Sequence, residues 1–102
     1  IKPNFEEAYC CRGLAYHKQG NYTQAIFDFT KAVEINPNLA EAYYNRGISY
    51  SMIKEYDSSW LDVHKAEELG YKINLVFLDN LKKASGRDKY IYLDTIHYCC
   101  PN

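Results

Sequence analysis

The chain has no net charge field to speak of: Lys and Arg total 12, Asp and Glu 13, and the formal charge is −1. That removes the basic surface expected of a nucleic-acid or anionic-membrane binder. No apolar run is long enough to span a bilayer, and no signal peptide is visible. There is no glycine-rich phosphate loop. The adjacent carboxylates Glu6-Glu7 and Glu67-Glu68 read as solvated helix charge. The four cysteines fall in two adjacent pairs, Cys10-Cys11 and Cys99-Cys100. That spacing is neither the framework of a small disulfide-rich secreted domain nor a CxxC metal pattern. It favours a reduced, intracellular and therefore cytoplasmic setting. The sequence also lacks an initiator Met, which suggests a fragment or a processed form.

What is abundant is tyrosine, with 11 in 102 residues. A chain of that length can form one modest domain. Tyrosine offers a large contact area with a polar tip, suited to helix packing or to a binding surface.

The tyrosines are periodic. Glu7-Ala8-Tyr9-Cys10-Cys11-Arg12-Gly13-Leu14-Ala15-Tyr16 returns as Glu41-Ala42-Tyr43-Tyr44-Asn45-Arg46-Gly47-Ile48-Ser49-Tyr50, always 34 residues later. Residues 6–39 and 40–73 share 11 identical positions, against about two expected by chance from ordinary residue usage. Each unit reads as two helices. Tyr9, Gly13 and Tyr16 share one face, Gly20-Asn21 breaks the pattern, and Ala25, Phe29 and Ala32 carry a second stripe until Pro37. The second unit runs from Ala40 to about Ile53 and from Tyr56 to Leu69, capped by Gly70. Gly13, Gly47, Ala25, Ala32 and Ala66 let the paired helices approach closely, so a large residue at Gly13 should splay them.

Residues 74–86 read as a capping helix: a third first-helix with no second. Leu81 stands where Gly13 and Gly47 stood, as if no close approach were required. Ile1-Lys2-Pro3 matches Ile35-Asn36-Pro37, so residues 1–5 read as the end of a preceding repeat. Residues 87–102 form a tail outside the repeat, readable as an extended segment, a short helix or an appended expression sequence.

This period, with Tyr9, Gly13, Tyr16, Ala25, Phe29, Ala32 and Pro37 at their spacings, resembles the tetratricopeptide repeat. The second unit departs from the pattern at Ser59, usually alanine, and at Tyr71, usually proline. The resemblance implies an all-α, right-handed superhelical stack of antiparallel helix pairs, whose first helices line a concave groove for peptides or protein segments. Carried over residue by residue, the groove positions are Glu7, Cys10, Leu14, His17 and Lys18, then Glu41, Tyr44, Asn45, Ile48, Ser51 and Met52. The capping helix adds Leu75, Leu78 and Lys82. One subfamily clamps a partner's C-terminal carboxylate with lysine, arginine and asparagine. Here only Asn45 matches, while Cys10 and Leu14 occupy clamp positions, so an acidic-tail receptor is not expected. A mixed apolar and aromatic groove suits an amphipathic helix or an extended apolar peptide.

Tyr44 does not recur between the units and is the leading ligand candidate. Cys10, Cys11, His17, His97, Cys99 and Cys100 include enough zinc ligands if the tail folds back, but adjacent cysteines seldom reach one metal together. Cys11 reads as a packing residue and Cys10 as a groove-facing thiol. Cys10 and His17 lie two turns apart, about 10 Å, too far for a nucleophile and its base. The expectation is a non-enzymatic interaction module, without metal or cofactor, that binds a protein or peptide. Homo-oligomeric self-assembly, or service as a scaffold within a larger multidomain protein, is the alternative.

Overall fold

The computed structural model describes residues 5–86, which form five helices: α1 (Phe5–Lys18), α2 (Tyr22–Ile35), α3 (Ala40–Met52), α4 (Tyr56–Glu68) and α5 (Leu75–Ser85). The fold is all-α. Helices α1 and α2 pair, α3 and α4 pair, and α2 packs on α3 to join the two units. Helix α5 follows as a single trailing helix. The ends match the sequence signals to within a residue or two. Ile35 closes α2 with Asn36 donating its N–H to the Ala32 carbonyl, and Pro37 follows. Gly70 takes φ +94° just after α4, a conformation that costs glycine little.

Close approach within each pair is real and measurable. A β-carbon added to Gly13 would lie 2.8 Å from Cε1 of Phe29, and one added to Gly47 would lie 3.2 Å from Cβ of Asp62 and 3.3 Å from the Ser59 carbonyl oxygen. The glycines therefore make room for the partner helix's own side chains. Phe29, Ala25, Ala32 and Ala66 are fully buried. Burying a phenylalanine of this kind contributes roughly 1.5–3 kcal/mol.

The units differ where their sequences do. Ser59, at the position of Ala25, is buried and donates its hydroxyl to the Gly47 carbonyl, 2.7 Å away. The departure from alanine is thus satisfied rather than strained. Tyr71, at the position of Pro37, packs its ring on Tyr44.

Leu81 requires a correction. It is 2% exposed and forms a core cluster with Trp60 and Val63 of α4, with Tyr56, Ile73, Phe77 and Leu78 around it. Leucine replaces glycine here because it fills the space against α4. It does not mark a face without a partner. Trp60 ties the same two helices by donating its indole N–H to the Ser85 hydroxyl, 3.2 Å away.

Candidate functional site

The recurring tyrosines have a shared task. Arg12 lies between the rings of Tyr9 and Tyr16, 5.7 and 5.9 Å from their centroids, and Arg46 lies between Tyr43 and Tyr50 at 5.5 and 5.8 Å. These distances suit cation–π attraction. Each guanidinium also forks onto a carboxylate of its paired helix. Arg12 donates to Asp28 at 2.8 and 2.9 Å, and Arg46 donates to Asp62 at 2.8 and 2.7 Å. The bidentate fork fixes the pairing geometry. Burial pushes the Asp62 carboxyl up, and the Arg46 fork only partly offsets it, so the pair orients the helices more than it adds net stability. The signal was in the sequence: Arg12, Asp28, Arg46 and Asp62 are among the identical positions, but periodicity alone does not say that they touch.

With those residues committed to packing, other residues of α1, α3 and α5 and their neighbours line two clefts. The first, about 430 Å³, lies between α1 and the start of α3. Glu7, Cys10 and Leu14 of α1 and Glu41 of α3 line it, together with Glu6, Cys11, Asn36 and Leu39. The Cys10 thiol is pushed up to about 11, first by burial, then by Glu41, Cys11, Glu7 and Glu6. That favours the neutral thiol over the thiolate at ordinary pH. Cys10 packs beside Ala32, Val33 and Ala42, whereas Cys11 is exposed, so the packing role expected of Cys11 belongs to Cys10.

The second cleft, about 190 Å³, lies between α3 and α5 and is lined by Ile48, Ser51, Met52, Tyr56, Phe77, Asn80, Leu81 and Ala84. Its origin is legible in the repeat. Asn80 stands where Arg12 and Arg46 stood, and Ala84 stands where Tyr16 and Tyr50 stood. Removal of the guanidinium and the ring leaves a hollow with mostly apolar walls.

The other predicted groove residues are placed differently. Tyr44 is 9% exposed, with its ring 4.9 Å from Tyr71 and 5.7 Å from Phe77. Burial pushes its phenol up. Its ring joins α3 to the segment before α5 and to α5, so the ligand-facing role expected of it is corrected to packing. His17 places Nδ1 2.9 Å from the hydroxyl of buried Ser49 and meets Tyr22 edge-on. Burial lowers its pKa, favouring the neutral ring. It bridges α1 and α3 and lines neither cleft. Leu78 packs in the Trp60 cluster. Lys18, Leu75 and Lys82 are exposed and Asn45 is half-buried, and none of the four lines either cleft.

Among the described residues no group of three His, Cys, Asp or Glu side chains is placed to hold a metal, and no helix is long and apolar enough to cross a membrane. The zinc arrangement with His97, Cys99 and Cys100, and the readings of the tail itself, lie outside the described residues.

Profiles of the tetratricopeptide repeat match residues 6–39 and 29–60. The chain belongs to the tetratricopeptide-repeat family. The first match coincides with the unit formed by α1 and α2. The second begins inside α2, covers α3 and ends in α4. A search of curated proteins gives no match. Tetratricopeptide repeats are helical interaction scaffolds, a general role that the paired helices of the described residues fit.

Proposed function

We propose that the chain is a non-catalytic docking module holding a peptide or protein segment across α1, α3 and α5. The observation that carries this reading is the hollow between α3 and α5. Where the junction of the first two units carries Arg46 and Tyr50, Asn80 and Ala84 leave space beside Ile48, Met52 and Phe77. Apolar walls of that kind favour an inserted side chain such as leucine or isoleucine, since each buried apolar Å² contributes about 25 cal/mol. Peptides selected for binding from a random 16-residue library supply the test. Ala84→Phe should fill the hollow and weaken the selected peptides at least ten-fold while circular dichroism is unchanged. Equal affinity for the filled variant would refute the reading.

One observation favours a second reading, self-association. Arg46 is covered on the side facing the first unit, where its Nη1 donates to the Thr30 hydroxyl at 3.2 Å. The corresponding side of Arg12 meets no other described helix, and its side chain is 57% exposed, against 17% for Arg46. Phe5, Ala8, Tyr9 and Arg12 line a cleft of about 260 Å³ there, and Phe5 is 60% exposed. A second copy laid on this face would cover it. Sedimentation velocity should then show a dimer at high concentration that Phe5→Glu abolishes. A monomer at every concentration rejects this reading.

A further inference from the structure

The junction between the two units shows what covers a face like the outer one of α1. Leu39, Ala42, Tyr43 and Arg46 stand 34 residues after Phe5, Ala8, Tyr9 and Arg12. In the second unit α2 lies over them. Ala42 is fully buried in one cluster with Ala32 and Val33 of α2, and Leu39 and Tyr43 pack against it. The Thr30 hydroxyl donates to the Ile26 carbonyl at 2.7 Å, which leaves its lone pairs to accept from Nη1 of Arg46. In the first unit no described helix lies over the corresponding set, and Phe5, Ala8 and Arg12 are exposed. Arg12 is nonetheless held as Arg46 is, by Nε and Nη2 on Asp28 and by two tyrosine rings. Its Nη1 has no acceptor among the described residues. Arginine and hydroxyl also go together: at the next junction Asn80 replaces the arginine and His64 replaces the threonine.

We infer that this face of α1 docks one amphipathic helix of a second protein. That helix presents a threonine or serine hydroxyl to Nη1 of Arg12, with apolar residues two and three positions further on, as Ala32 and Val33 follow Thr30. The inference rests on the face taking a protein partner, as in the second reading above, and is independent of the hollow between α3 and α5. A second copy of the chain would have to cover the face with something else, because its own α2 is already packed on its own α3. The hydroxyl follows from the charge already in place. Asp28 answers the guanidinium with both carboxylate oxygens, so a carboxylate on the incoming helix would leave one negative charge in excess. An apolar side chain would cover Nη1 without an acceptor, at the cost of its hydrogen bond to water. A hydroxyl supplies the acceptor and no charge.

The test uses the full chain and a labelled peptide with the sequence of residues 21–36. Phe27→Glu in the peptide, joined to Lys31 by a lactam on the exposed side of the helix, keeps so short a segment helical in solution. Fluorescence anisotropy should show saturable binding. Thr30→Val in the peptide should weaken it about five-fold or more, the loss of a hydrogen bond to a charged donor, and Thr30→Ser should restore it. Ala8→Gln in the chain should weaken it about ten-fold by filling the face, with circular dichroism unchanged. Equal binding of the threonine and valine peptides, or equal binding by the Ala8→Gln chain, overturns the inference. So does absence of binding. Sedimentation velocity of the chain alone then separates the two readings: a dimer abolished by Phe5→Glu leaves self-association standing where the helix has failed, and a strict monomer removes both.

Discussion

Lys54 occupies a backbone position made for glycine. Its φ is +65°, and the corresponding residue one repeat earlier is Gly20 at φ +83°. Both follow a first helix and turn the chain toward the second. A residue with a β-carbon in this left-handed region is disfavoured by about 1–2 kcal/mol, and glycine gives back part of that gain through the freedom it has when unfolded. Lys54→Gly should therefore stabilise the protein by about 0.5–1 kcal/mol, read as a higher urea midpoint at unchanged slope. An unchanged or lower midpoint would show that Lys54 compensates elsewhere. At this scale the sequence was only partly legible. Identity between units located Gly13, Gly47 and the small alanines, because sterics alone explains them. It could not reveal that Tyr44 is covered, because the ring is buried by Tyr71 and Phe77, which lie well along the chain and match no residue of the same type in the first unit. For the same reason Leu81, an apparent departure from the repeat, turned out to belong to the core.

The helix pair is the unit in which arginine and aspartate act. The Arg46 fork reaches Asp62, which is 5% exposed, and also the Thr30 hydroxyl of the preceding unit, so one side chain holds three helices. Truncating it leaves a buried carboxylate without its cation. Arg46→Ala should cost about 3 kcal/mol, the range in which breaking a buried pair falls. Arg12→Ala also strips the cation from a buried carboxylate, Asp28 at 1% exposed, and should cost less only by the contact corresponding to Thr30, which Arg12 lacks. Thermal unfolding of the two variants decides this; equal losses would mean that the link to Thr30 contributes nothing. The helices themselves were readable because periodic small and aromatic positions set them and Gly20, Pro37 and Gly70 end them. The ion pairs were not, because arginine and aspartate at recurring positions look like solvated charge until the helices are brought together. Nor was the hollow between α3 and α5, which arises from what Asn80 and Ala84 fail to fill.

Across the whole stack, stability should fall toward α5. In a repeat protein each element is held by its neighbours alone, and α5 has α3 and α4 on one side and no described helix on the other. Its attachments include Leu81, Phe77 and Leu78 in the Trp60 cluster, the Trp60–Ser85 hydrogen bond, the Tyr44–Phe77 ring contact, and Asn74, whose side chain accepts the Phe77 N–H at 3.1 Å to cap the helix. Leu75 and Val76 in its first turn are exposed. Such an element opens before the rest. Leu81→Ala removes the largest of these attachments, at a cost of about 2–5 kcal/mol for a buried leucine, and that cost should fall on α5 rather than on the first unit. Hydrogen exchange should then show the amides of α5 losing protection while those of α1 and α2 keep theirs. The fluorescence of Trp60, the only tryptophan, should shift to the red at denaturant concentrations where most helical circular dichroism remains. Coincident loss of protection in all five helices would instead show a single cooperative unit. Because the hollow at Ile48, Met52 and Phe77 exists only while α5 is docked, a partner seated there would raise protection in α5 above that of the free chain. Fraying of α5 and binding at its inner face would then be two readings of one equilibrium.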